Sequence, residues 1–340
     1  MLATTVYTKI QELEEITSFS KHDQIVNGII NSIDEKILIK GDMLPSVNAM
    51  VDEIGFARKT IVKAYTDLKE RGIIESRNRL GYFVVNESTD QMIKVALILY
   101  AFHTFQEEFY NTFRKSLGEN IQLEIFFHHN NMDVFESILS TVKSQYGMYV
   151  IAPIQHPKSI ELLSPIPSGK LLLVDRFMEI GDNYSFVTQK FEEPFRNSLE
   201  SLNDRLSDFS NYTLFFKEKT DYPIGVLDAY QKFMKKNKWN GEVKRNYEYG
   251  TVKKGTVYFT INDNDLWRLL KDCEEQKLVI GKDVGILAHN DNPVKEIICG
   301  GISTFTTDFK QMAQKAADFV LNREQIQEFI PSVLIRRSSL

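Results

Sequence analysis

From residue 94 to residue 288, short apolar runs alternate with amphipathic stretches, and this rhythm constrains the fold more than any other feature of the chain. The runs are 94–100, 121–126, 148–152, 170–175, 212–216, 255–260 and 284–288. Candidate helices lie between most of them, at 106–118, 132–145, 225–237 and 265–276. Strands that are apolar on both faces and separated by helices are the sequence form of a parallel sheet covered on both sides. About 250 residues of this pattern exceed one small doubly wound sheet, so two lobes are expected. The fold class expected is therefore α/β, with two parallel-sheet lobes after a small α+β N-terminal domain.

The chain changes character near residue 86. A polar stretch, 86–91, reads as a linker between a domain at 1–85 and a larger one at 92–340. Residues 22–85 read as three helices and a hairpin. Ile25, Ile29, Ile30 and Ile33 share one side of the first helix. Ser46 is placed to cap a second helix over 47–54, and Gly55 to end it. A third helix runs over 58–71 and stops at Gly72, with Ile61, Ala64, Tyr65 and Leu68 at core spacing. Runs 73–76 and 81–85 then form a hairpin. Two helices joined by a short turn, followed by a hairpin, make a winged helix-turn-helix.

The net charge is -5, so any nucleic-acid footprint must be local. The block from Lys21 to Asn86 is nearly neutral, with ten basic residues against nine acidic. Its cations are concentrated, however. Arg58, Lys59, Lys63, Lys69 and Arg71 fall on the third helix, and Arg77 and Arg79 on the adjacent turn, where phosphates and a groove would lie. A solvated helix face would carry such charges as well.

Here the sequence resembles a known family. Residues 41–48 (Gly-Asp-Met-Leu-Pro-Ser-Val-Asn), 54–65, 68–74 and 81–84 (Gly-Tyr-Phe-Val) are similar to the winged-helix domain of GntR-type transcription regulators. The resemblance implies DNA contacts by Ser46, Asn48, Arg58, Lys59, Thr60, Lys63, Arg77, Arg79 and Gly81. Asn48 stands where the family has an arginine.

In the larger domain, polar pairs follow three apolar runs: Asp175-Arg176, Asn262-Asp263 and Asn290-Asp291. Ligands of open α/β sheets bind beyond the carboxyl ends of strands. Asp and Asn there suit a polyhydroxyl ligand, because each serves neighbouring hydroxyls. They are equally the residues of helix caps and turns. These marks, with 301–305 ahead of a helix ending near Leu321, resemble the effector domain of LacI/GalR-type repressors, which has the type 1 periplasmic-binding-protein fold. The resemblance implies an effector cleft lined by Phe102, His103, Phe105, Asp175, Arg176, Tyr222, Tyr249, Asn262, Asn290 and Asp291. Tyr222 stands in place of an arginine, Asn290 in place of an aspartate, and Tyr249 where an aromatic ring would stack on the effector. The combination resembles arabinose-repressor-type regulators. It implies a homodimer on double-stranded operator DNA, controlled by a small carbohydrate, with the helices after Gln106 and Phe305 as candidate dimer faces.

Other classes stay open: a regulator sensing a phosphosugar, nucleobase or other metabolite, and more remotely a carbohydrate-active enzyme using Asp175, His103 and Asp291. Phosphate-loop, dinucleotide, zinc-protease and serine-hydrolase motifs are absent from the sequence. Neither catalytic residues nor a cofactor is expected. His128 and His129 are adjacent, which would put their rings on opposite faces of a strand, so no metal is expected. Cys273 and Cys299 are read as buried small apolar groups, in a reducing, cytoplasmic setting. Trp239 is read as a surface or loop-packing residue. The start of the chain, 1–9, lacks the basic and apolar segments of a secretory signal. The longest apolar run, Val95 to Phe102, is too short to span a membrane.

Overall fold

The computed structural model describes residues 2–14, 19–86, 93–118, 121–142, 146–218 and 220–340. Apart from Asn86, the expected linker at 86–91 lies outside the described residues. The chain divides into two compact units, Met1–Ile93 with Glu119–Gln122, and Lys94–Gly118 with Leu123–Leu340.

The first unit contains α1 (Leu2–Gln11), α2 (Lys21–Asp34), α3 (Val47–Ile54), α4 (Arg58–Glu70), β1 (Ile74–Arg77) and β2 (Gly81–Val84). Ser20 and Asp23 form a capping box at the start of α2. Ser46 Oγ accepts from the Ala49 amide and caps α3, while Gly55, at φ 66°, ends it in the left-handed region that glycine tolerates best. β1 and β2 pair antiparallel as a wing. Ile25, Ile29, Ile33, Ile61, Tyr65 and Leu68 are buried in one core. The periodicity did not announce α1, which places Val6, Tyr7 and Ile10 in that same core.

The second unit opens with β3 (Ile93–Leu99), α5 (Thr104–Leu117), β4 (Ile121–Phe127), α6 (Met132–Val142), β5 (Met148–Ile151), α7 (Pro157–Leu163), β6 (Leu171–Arg176) and β7 (Ser185–Gln189). The chain then leaves for a second lobe: α8 (Glu192–Ser201), α9 (Asn203–Leu206), β8 (Asn211–Phe215), α10 (Ile224–Asn237), β9 (Gly241–Lys244), β10 (Thr256–Thr260), α11 (Asp263–Glu275), β11 (Val284–His289), α12 (Pro293–Ile297) and β12 (Ser303–Thr307). It returns through α13 (Phe309–Asn322) and β13 (Gln327–Ile330), then crosses once more into β14 (Ser332–Ile335). The first sheet has the order β13-β7-β6-β5-β3-β4, the second β14-β12-β11-β10-β8-β9. In the second sheet β14 runs antiparallel to β12, and the other pairs are parallel. Strands β5, β10, β11 and β12 are buried along their whole length, as doubly covered parallel strands must be.

One expectation, the burial of Cys299, is corrected here, and two others are placed in the fold. Helices α5 and α13, the candidate dimer faces, each bury one apolar stripe inside the chain and leave their polar faces exposed. Phe109, Phe113, Phe309, Met312 and Ala316 are buried, and the rings of Phe105 and Phe309 lie 4.8 Å apart. Trp239 is a packing residue of the second lobe, stacked 4.7 Å from Tyr212 and edge-on to Phe233. Of the two cysteines, Cys273 is buried, but Cys299 is exposed in a tight turn at φ 52°.

Candidate functional site

The carboxyl ends of the strands carry the polar groups. Asp175, the penultimate residue of β6, lies in the left-handed region, at φ 63°, and is buried. Its Oδ1 accepts from Gln189 Nε2 at 2.6 Å. Burial pushes its carboxyl above the usual range, opposed by Arg176 and by the Gln189 hydrogen bond. The Arg176 guanidinium lies 4.4 Å from the Phe191 ring centre and 5.7 Å from that of Tyr100. It donates to the Asp221 carbonyl of the second lobe at 2.8 Å, and its Nε is buried without a hydrogen-bond partner. His103 Nε2 stands 4.0 Å from the Asp221 carboxylate.

Second-lobe strand ends face the same region. Tyr222 is half-buried, edge-on to Phe216, with its hydroxyl beside the Asn262 side chain. Asn262 Oδ1 caps α11 by accepting from the Asn264 amide. His289 is buried, with Nε2 unpartnered, and burial together with Arg176 and Lys295 lowers its pKa to about 3, so the ring is neutral. Asn290 follows at φ 55°, with Oδ1 buried and unpartnered. Lys295, 1% exposed, holds this loop. Its ammonium donates to the carbonyls of His289 and Asn290 at 2.8 and 2.6 Å and pairs with Asp263 at 2.6 Å. An open cavity of about 360 Å³ is lined by Tyr100, Ala101, His103, His129, Asn130, Thr220 and Asp221, within the roughly 300–1,000 Å³ of small-ligand clefts.

Asp175, Arg176, His103, Tyr222, Asn262 and Asn290 are thus brought toward one cleft, and the other four expected residues, Tyr249, Asp291, Phe105 and Phe102, are engaged or placed elsewhere. Tyr249 lies over Lys271 and bonds Glu275, in the last turns of α11, whereas Asn262 caps the first turn. At 1.5 Å per residue those ends are roughly 13 to 20 Å apart, so Tyr249 is outside the cleft. Asp291 has both oxygens bound by Arg337, at 2.7 and 2.8 Å, and Thr304 donates to one of them. Burial pushes this carboxyl up, but those bonds outweigh it and hold Asp291 below the usual carboxylate range. Phe105 is packed between His103 and Phe309. Phe102 is 58% exposed, edge-on to Phe127. Tyr100, His129, Asn130, Asp221, Gln189 and His289 escaped sequence reasoning. His129 and Asn130 adopt successive left-handed conformations that no motif announces.

In the first unit, Arg58 opens α4 and donates to Asn48 Oδ1 on α3. Asn48 is therefore engaged with Arg58, and Ser46 Oγ with its own helix. Lys59, Lys63 and Arg79 are exposed and make no ion pair among the described residues. Thr60 is half-buried beside them, and Gly81, at φ 118°, closes the wing turn. Arg77 pairs with Glu75 at 2.7 Å and stacks 4.4 Å over Phe83. Arg71 is turned back onto Asp67 by two hydrogen bonds.

Residues 21–84 match the family described as bacterial regulatory proteins, gntR family. The HTH-type transcriptional regulator Rv1152 of Mycobacterium tuberculosis is 32% identical over 62 residues, 18% of this chain and 51% of that protein. The chain spans about half the length of this curated relative. The two-lobed unit is similar to a LacI family transcriptional regulator from Lactobacillus casei, solved with bound sucrose (TM-score 0.63, 13% identity, 73% of this chain and 99% of that one). It is also similar to the Lac repressor dimer bound to operator and the anti-inducer ONPF (TM-score 0.60, 14% identity, 73% and 94%). The class is therefore a gntR-type winged helix together with a two-lobed α/β unit. That second unit has the fold of LacI-family, periplasmic-binding-protein-like regulators.

Proposed function

We propose that this chain is a DNA-binding transcriptional regulator whose operator affinity is set by a small carbohydrate, a monosaccharide, held between the lobes of its second unit. The observation that carries the reading is the set of buried, unpartnered polar atoms at facing strand ends: Arg176 Nε, His289 Nε2 and Asn290 Oδ1. Buried polar groups without partners cost free energy, and a polyhydroxyl ligand supplies both donors and acceptors. The left-handed backbone at Asp175, Asn290, His129 and Asn130 adds support, because such conformations cluster at ligand sites. The sucrose-bound Lactobacillus casei relative supports a carbohydrate. Asp175, Arg176, Tyr222, Asn262 and Asn290 are the proposed contacts, with His103 at the rim.

The proposed DNA contacts are Arg58, Lys59, Thr60, Lys63 and Arg79, with Arg77 at the wing. Domain limits at 1–85 and 92–340, a homodimer on a pseudo-palindromic site and a cytoplasmic location complete the proposal. No described helix is long and apolar enough to cross a membrane. The cleft is read as a binding site and not as an enzyme's, since Asp291 is bound to Arg337 and supplies no second free carboxylate.

Thermal denaturation against D-glucose, L-arabinose, sucrose and the corresponding sugar phosphates tests the reading. A sugar at 100 times its dissociation constant adds about 2.7 kcal/mol of stability. Stabilisation by the phosphates alone favours the second reading, a phosphosugar effector, to which the unpartnered Nε of Arg176 points. No stabilisation by any compound rejects both.

A further inference from the structure

Three segments cross between the two lobes: residues 190–191 after β7, Asp308 after β12, and Pro331 between β13 and β14. One line of side chains reaches all three. Gln189 Nε2 donates to Asp175 Oδ1 at 2.6 Å, and Thr307 Oγ1 donates to Gln189 Oε1 at 2.7 Å. Thr307 Oγ1 and Ser332 Oγ are 2.6 Å apart, and Ser332 Oγ also lies 3.3 Å from the Lys190 carbonyl. The Gln189 carbonyl oxygen only accepts, so Thr307 gives its single hydrogen there and can only accept from Ser332. Two hydrogens therefore point toward the Asp175 carboxylate, Thr307 to Gln189 and Gln189 to Asp175, and the single Ser332 hydrogen is shared between Thr307 Oγ1 and the Lys190 carbonyl. Asp175, Gln189 and Thr307 are buried, where such chains polarise and strengthen one another.

We propose that Gln189 is a positioning residue that ties the carboxylate on the cleft floor to all three crossings and so sets how the lobes close. This rests on the reading of the cleft as a ligand site. An occupant that donates to Asp175 draws electron density from the bond to Gln189 and weakens the line as far as Ser332. The crossings then loosen together.

The test reads the crossings themselves and needs no sugar. The full chain carries spin labels at its exposed native Cys299, in the second lobe, and at Glu161→Cys on α7 of the first; Cys273 is buried. Labelled chain is diluted with unlabelled chain, so that double electron–electron resonance reads distances within one chain. The parent should give one narrow interlobe distance. Gln189→Met and Thr307→Val should each broaden or shift it, with melting curves still cooperative. If Gln189→Met fails to fold, Thr307→Val decides, since it removes a hydroxyl and keeps the shape. Distributions superimposable on the parent in the folded variants overturn the proposal. Failure of the effector reading would show separately, as absence of sugar binding in the unlabelled parent.

Discussion

Two carboxylates at strand ends have opposite fates, and the difference lies in their cations. Asp291 gives both oxygens to Arg337 and is a structural clasp. Asp175 stands 3.7 Å from the Arg176 Nε without a hydrogen bond to it, takes one bond from Gln189 and remains available. The sequence could not separate them, because Arg337 lies 46 residues after Asp291. The same holds for Asn48, whose partner Arg58 is ten residues away on the next helix. If Arg58 reads a guanine, Arg58→Ala should cost about 1 to 3 kcal/mol on the specific duplex and less on random DNA. Lys63→Ala should weaken both alike and reduce the salt slope by about one. Anisotropy titrations at several salt concentrations check both, and equal losses for Arg58→Ala would reassign it to phosphate. A pH dependence belongs to the same scale. His128 donates from Nε2 to the Ala152 carbonyl and accepts the Asn130 amide at Nδ1, and burial lowers its pKa to about 4. The unfolded chain then binds more protons between pH 6.5 and 4, so stability falls as pH drops through that window, by on the order of 3 kcal/mol for this group. His289, lowered to about 3, acts in the same sense, while Asp175, raised by burial, acts in the opposite one. Melting temperatures measured from pH 7 to 5 should decline, and His128→Gln should flatten the decline.

At the scale of elements, the runs apolar on both faces were legible. Strands at 148–151, 171–176, 256–260 and 284–289 lie where the pattern placed them. Strands β7, β9, β13 and β14 were not legible, for physical reasons. All four residues of β9 are exposed, so it has no hydrophobic signal. β13 and β14 are four residues each, divided by Pro331, and are fixed by pairing with β7 and β12. In the cleft, Asp175, Asn262 and Asn290 could be found because they follow apolar runs. Asp221 and His129 could not, since their loops carry no periodicity. The missed helix α1 makes its own prediction. A Cβ at Gly28 would lie 2.5 Å from Ile10 Cγ1 and 2.9 Å from Ile10 Cα, backbone that cannot easily yield. Gly28→Ala gains about 1 kcal/mol of helix propensity and loses roughly 1 to 3 to overpacking. A net fall in denaturant midpoint for the first unit is expected, and a rise would mean that α1 does not dock on α2.

At the scale of the whole molecule, one chain carries both a cleft built around buried polar groups and a winged helix with exposed cations at the start of α4 and on the wing. In the proposed function, a polyhydroxyl ligand would change the hydrogen bonding of Asp175, and the lobes would answer through their crossings. For such a device to regulate, effector and DNA must be thermodynamically coupled, each altering the other's affinity by the same factor. The direct test is a titration of the full chain against a duplex it selects from a random pool, with and without the sugar that stabilises it. The account predicts tight, salt-dependent binding that the sugar changes about fivefold or more, and Asp175→Ala chains that bind the duplex as the parent does but no longer respond. Duplex affinity unchanged at saturating sugar, or no preference for the selected duplex over random DNA, would contradict it.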